Sequence, residues 1–183
     1  MPAPPPGHAR MDTLESILHA TLVFVETHKA FSVPVVFLLA LGESVAVLSL
    51  LFPATVVLVG IGAMVGAGAL DFWSLWIAAA VGAIIGDWVS YWLGARYGHA
   101  VFAVWPMRNH PELLPRGERF FHRWGIASVF VGRFFGPFRA SVTLIAGIFA
   151  MDRLAFLATT TLSAFIWAAG LLAPGIIGVR LFA

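Results

Sequence analysis

Residues 131–147 read VGRFFGPFRASVTLIAG, an apolar run that carries two arginines six residues apart, one on each side of Gly136-Pro137. If 125–151 formed one straight span, Arg133 and Arg139 would both lie near the bilayer centre. Each would then cost ~2.5–3.5 kcal/mol on insertion scales. They would also point about 120° apart, because six residues turn an α-helix by roughly 600°. Broken at Gly136-Pro137, the segment gives two short pieces, each covering about half of a ~30 Å hydrocarbon core at 1.5 Å per residue. The residues therefore predict a re-entrant loop over 125–151 with both arginines near its tip.

Composition sets that loop in a membrane. The chain has 183 residues, of which 60% are hydrophobic and 11% charged, and its mean hydropathy is +0.92. A soluble domain carries about 25% charged residues. The chain thus reads as an integral membrane protein with one domain, 13–183, of roughly four to six embedded segments. A formal charge of +2 is too small to indicate a nucleic-acid partner. With no cysteine, disulfides, thiolate metal sites and cysteine nucleophiles are excluded, and no metal or cofactor is expected. The proline-rich start, MPAPPPGHAR, predicts disorder over 1–12 and lacks the zones of a signal peptide.

Residues 13–29 place Leu14, Ile17, Leu18, Leu22 and Val25 on one helical face, which predicts an amphipathic interfacial helix; a short tilted span is the alternative. Residues 31–70 contain a single charge, Glu43, and a break at Pro53. Two full spans fit by length, but the turn reads LLFPAT, and a water-facing turn would not be apolar. A second re-entrant loop, its apex buried among other helices, accounts for it better. Residues 72–97 make the clearest transmembrane helix, with Trp73 and Trp76 towards one end and Tyr91 and Trp92 towards the other as interfacial belts. Along it Ala78, Gly82, Gly86, Ser90, Gly94 and Gly98 recur every four residues, a small-residue stripe that admits another helix backbone.

Residues 99–124 are polar and basic, with Arg108, Arg116, Arg119 and Arg123 among Phe120, Phe121 and Trp124. They predict an amphipathic connection on the cytoplasmic side, against anionic lipid. The last span is expected over 154–179. Asp71 to Gly94 aligns weakly with Asp152 to Gly175, and each follows a broken apolar segment. The expected fold is therefore all-α: two opposing re-entrant loops and transmembrane helices in an inverted repeat, a plan found in transporters.

Four ionisable residues fall in membrane-embedded sequence: Glu43, Asp87, Arg133 and Arg139. Such charges are expensive, so function is the default reading. The arginines are candidates to bind an anionic phosphate headgroup, which guanidinium groups grip bidentately while staying charged. Glu43 is the candidate carrier of a coupling proton, since burial penalises a charged carboxylate. The competing reading is structural: the charges neutralise one another, the arginines snorkel to the interface, and Asp87 makes a helix-packing hydrogen bond beside the glycine stripe. Motifs for metalloprotease, serine-hydrolase and nucleotide-phosphate chemistry are missing, so no enzyme is expected.

GDWVSYWLGARYG at 86–98 and VGRFFGPFRASVTLIAG at 131–147 resemble the DedA family of bacterial inner-membrane proteins, also called the VTT or SNARE-associated-like family. The resemblance covers about 31–170. It implies paired opposing re-entrant loops, a multi-pass inner-membrane location, translocation of undecaprenyl phosphate or phospholipid, and dependence on the proton-motive force. By it, Glu43 matches the acidic residue of the first loop, and Arg133 and Arg139 match two essential arginines. Gly86, Tyr91 and Gly94 match the G-D-x-x-x-Y-x-x-G motif, while Pro53, Gly136, Pro137 and Gly147 belong to the loop motifs. One departure stands out: where the family commonly has a second acid at the first tip, this chain has Thr55, and Asp87 is the candidate to compensate. The expected function is a lipid-phosphate translocase with membrane lipids as partners. The alternative is a proton-coupled antiporter or membrane-homeostasis factor that moves no lipid.

Overall fold

Two aspartates set where the long helices begin. The Asp71 carboxylate accepts the Ser74 N–H at 2.8 Å, and Asp152 accepts the Ala155 N–H at 2.8 Å. Each satisfies a first-turn donor that has no partner within its helix. The Asp71 carboxyl is held below its ordinary range by that backbone bond. In this computed structural model the described residues are 20, 23, 29–45, 48, 54–103, 107–109, 112–135 and 138–182. They form helices α1 (Ser32–Ser44), α2 (Thr55–Gly66), α3 (Phe72–Tyr97), α4 (Leu113–Trp124), α5 (Ile126–Gly132), α6 (Phe138–Ile148) and α7 (Arg153–Phe182), with short 3-10 turns and no strand among the described residues. Pro53, Gly136, Pro137 and nearly all of the amphipathic segment expected over 13–29 lie outside them.

Among the described residues two helices are long and apolar enough to cross a membrane: α3, with 26 residues, and the Arg153–Pro174 part of α7, with 22. The other apolar helices are short. With 13, 12, 7 and 11 residues, α1, α2, α5 and α6 each reach about 10–20 Å. The two arms of the first broken segment touch each other little, whereas those of the second meet at Gly132 and Val142. Helices α1 and α6 pack on α3, while α2 and α5 pack on α7.

Small residues govern this packing. A Cβ on Gly82 would lie 2.3 Å from the Phe37 carbonyl oxygen, and one on Gly86 2.5 Å from that of Leu41, so α1 lies against the middle of α3. Further along, a Cβ on Gly94 would meet the Leu144 oxygen at 2.0 Å, and one on Gly147 the Tyr91 oxygen at 2.0 Å. The stripe thus serves two partners, α1 first and α6 after it. Gly98 is not part of it: it ends α3 at φ +57° with nothing near its missing Cβ. The aromatic belt is also narrower than expected. Trp73 and Trp92 point outward, but Trp76 donates to the Phe165 carbonyl at 2.9 Å and Tyr91 is buried.

The two broken segments end alike. After α2, the Gly68 N–H bonds the Val65 oxygen and the Ala69 N–H the Met64 oxygen; after α6, Ala150 bonds Gly147 and Met151 bonds Ala146. Both are Schellman closures, with the turning residue at φ +75° and +49° respectively. An aspartate cap follows each within three residues.

Helices α3 and α7 run antiparallel between two apolar cores. One core gathers Leu75 to Ala83 of α3 with Ala164 to Leu172 of α7 and residues of α1 and α2. The other gathers Tyr91 of α3 with Phe156 of α7 and residues of α5 and α6. Between them lies a polar layer.

Candidate functional site

Every charged group of that layer comes from a helix end or from the middle of a long helix. Glu43 sits in the last turn of α1, Asp87 in the interior of α3, Arg133 at the C-cap of α5 and Arg139 in the first turn of α6. All four are buried, at 9, 2, 4 and 6% exposure respectively. The break between α5 and α6 is what allows this. It lets the two arginines leave separate helix ends towards separate acids.

Arg133 pairs with Asp87 through a direct Nη2–Oδ2 contact. The same nitrogen donates to the Thr160 hydroxyl at 2.8 Å, that hydroxyl donates to Asp87 at 2.5 Å, and Arg133 Nε donates to the Ser163 hydroxyl at 2.9 Å. Arg139 donates from Nη1 to Glu43 at 3.0 Å and from Nη2 to the Ser44 hydroxyl at 2.5 Å. Its guanidinium lies 4.3 Å from the centre of the Trp167 ring, a cation–π contact. Thr55 donates to Glu43 at 2.6 Å, and Ser90 donates towards the Ser44 carbonyl at 3.0 Å.

The layer holds two cations and two carboxylates, yet its hydrogen bonding is incomplete. Arg133 Nη1, Arg139 Nε, Glu43 Oε2 and the Ser141 hydroxyl are buried with no partner among the described residues. Leaving such atoms unpaired costs roughly 1–3 kcal/mol each, more when charged. Arrangements of this kind mark a place for a further ligand, water or ion.

The VTT domain profile matches residues 52–176. The inner membrane protein YabI of Escherichia coli K12 is 32% identical over 154 residues, 84% of this chain and 61% of YabI. An uncharacterized membrane protein of Buchnera aphidicola from Schizaphis graminum is 29% identical over 147 residues, 80% of this chain and 58% of that protein. This chain belongs to the DedA family, whose hallmark is the VTT domain. Like its DedA relatives it is a membrane protein, and it spans about three fifths of the length of these two. No solved structure matches it.

Set in the DedA family, the motif residues acquire physical tasks. Gly86 admits α1, Gly94 and Gly147 let α3 and α6 touch backbone to backbone, and the Tyr91 hydroxyl donates to the Met151 carbonyl at 2.5 Å. Thr55, in place of the acid common in DedA proteins, leaves Glu43 as the single carboxylate bonded to Arg139 among the described residues.

Sequence reasoning overlooked Ser44, Thr160, Ser163 and Trp167, which complete the layer. The last three follow i, i+3, i+7 spacing on one face of α7, and a Thr-Ser pair at that spacing inside an apolar span was the available signal.

Proposed function

We propose that this chain is the membrane core of a lipid-phosphate translocase, multi-pass in a bacterial inner membrane. In this reading α1–α2 and α5–α6 are re-entrant loops that enter from opposite faces as halves of an inverted repeat. The matching Schellman closures and aspartate caps support the repeat. The observation that carries the function is a buried polar layer, flanked by apolar cores, in which both arginines retain an N–H with no partner among the described residues.

A phosphate in this layer competes with Asp87 and Glu43 for the two guanidinium groups. The displaced carboxylates are then left buried without a counter-charge, a situation worth about 3–5 kcal/mol against the complex. Taking up one proton per displaced carboxylate removes that penalty. Anion binding and proton uptake are therefore linked by charge balance, and the second oxygen of Glu43 has no partner among the described residues.

The charge-neutral network also favours a second reading, an antiporter of protons and small ions that moves no lipid. Proteoliposomes of defined lipid separate the two. With a translocase, headgroups of a phosphorylated lipid on the inner leaflet become accessible outside at a rate that depends on pH and is lost in Glu43→Gln. Ion flux with no headgroup movement selects the antiporter.

A further inference from the structure

The proposed function leaves the basic stretch before the second broken segment unused. Arg116, Arg119 and Arg123 recur at i, i+3, i+7 on one side of α4, all three exposed. They line a groove of about 500 Å³ together with Phe120, Trp124 and Phe135. Among the described residues no carboxylate lines it. Glu118, on the same helix, lies about 100–160° around from the three arginines. Trp124 and Phe135 are 49 and 57% exposed, so about half of each of these side chains is left open by the described residues.

We infer that this groove binds the headgroup of an anionic phospholipid. Three guanidinium groups on one side of an exposed helix supply the charge and the bidentate donors that a phosphodiester needs. Cations alone would suit a free phosphate or a nucleic acid equally well. The aromatic wall decides the class, because Trp124 and Phe135 gain nothing from a small anion but cover the first methylenes of an acyl chain. Charge and apolar surface meeting in one groove select an amphiphile. Phe135 stands two residues past Arg133, and α5, with 7 residues, is only about 10 Å long, so the groove opens within about that distance of the buried layer. The inference does not rest on translocation, since occupancy is read directly at Trp124.

The test uses the full chain in bilayers containing lipids with brominated acyl chains, which quench tryptophan on contact. The difference between wild type and Trp124→Phe isolates the Trp124 signal from the other tryptophans. Brominated phosphatidylglycerol should quench Trp124 at an about fivefold or lower mole fraction than brominated phosphatidylcholine, and the preference should shrink as salt rises. Arg116→Gln, Arg119→Gln and Arg123→Gln together should abolish the preference with the melting temperature unchanged. The triple lysine variant should keep part of it. Equal quenching by the two lipids, a preference that survives the triple glutamine change, or displacement of the lipid by a single-stranded oligonucleotide would overturn the assignment.

Discussion

Arg139 and Glu43 are buried 3.0 Å apart, and Arg133 and Asp87 are buried in direct contact, so no one of the four can be removed without stranding another. Breaking such a pair from one side costs about 3–5 kcal/mol, whereas removing both partners is often nearly neutral. Arg139→Gln and Arg133→Gln should therefore each lower the melting temperature of the purified protein sharply. The rescue should be specific to the pair: Glu43→Gln restores the stability of Arg139→Gln but not of Arg133→Gln, and Asp87→Asn does the reverse. Rescue in the crossed combinations would contradict the pairing. Function separates from stability in the same set, because each rescued double variant has lost one of the two guanidinium groups proposed to hold a phosphate and should stay inactive in the headgroup assay. Lysine at 133 should also fail, as an ammonium cannot reach Asp87, Thr160 and Ser163 with the fork that Arg133 uses. A lysine variant with wild-type rate would return the arginines to the role of simple charges.

The glycines divide by what their missing side chains would strike. At Gly94 and Gly147 an added Cβ would sit 2.0 Å from a backbone oxygen of the facing helix, which can yield only if α3 and α6 separate. Gly94→Ala and Gly147→Ala should each destabilise by about 1–3 kcal/mol or more. Gly170→Ala, inside α7 with nothing within 4 Å, should be neutral or stabilising by up to about 1 kcal/mol. Melting curves of the three variants give the order, and equal losses would remove the close-packing account. Ala150 offers the opposite case: it holds the left-handed position that Gly68 holds in the other closure, so Ala150→Gly should gain roughly 1 kcal/mol. The sequence announced some of this and hid the rest. A period of four in small residues and the Gly136-Pro137 break were visible as local pattern, and so was the basic stretch before it. Which helix fills which part of the stripe was not visible, because Gly82 and Gly94 look alike until α1 and α6 arrive. Trp76 and Tyr91 passed for interfacial residues since aromatic type does not say which way a side chain points. The matching of arginines to acids was equally hidden, being decided by partners 46 and 96 residues apart in the chain.

At the scale of the molecule, the packing register makes a demand on topology that labelling can check. Phe37 lies opposite Gly82 and Leu41 opposite Gly86, so α1 runs parallel to α3 and starts in the N-terminal part of α3, about one and a half turns from its beginning. Leu70, one residue before the cap of α3, lies at that same end. The second broken segment is the reverse: Gly147 faces Tyr91 and Ala95, near the far end of α3, and Ile126 begins the arm that packs on α7. Wild type has no cysteine, so single cysteines report cleanly. With re-entrant loops in opposite senses, cysteines at Phe31 and Leu70 should react with an impermeant maleimide from one side of the membrane. Those at Ile126 and Phe149 should react from the other side, and one at Ser163, in the buried layer, from neither. Should Phe31 and Leu70 react from opposite sides, the first segment crosses the membrane an odd number of times and the inverted arrangement fails. Reaction of all four outer sites from a single side would place both loops on one face, and no exchange between two symmetric halves could then carry a headgroup across. The layer joins the two halves, because Arg139 of the second segment is bonded to Glu43 of the first and Arg133 of the second to Asp87 of α3. In the proposed translocase, any motion of one half against the other must therefore stretch these pairs, and an anion arriving with protons is what would let them part.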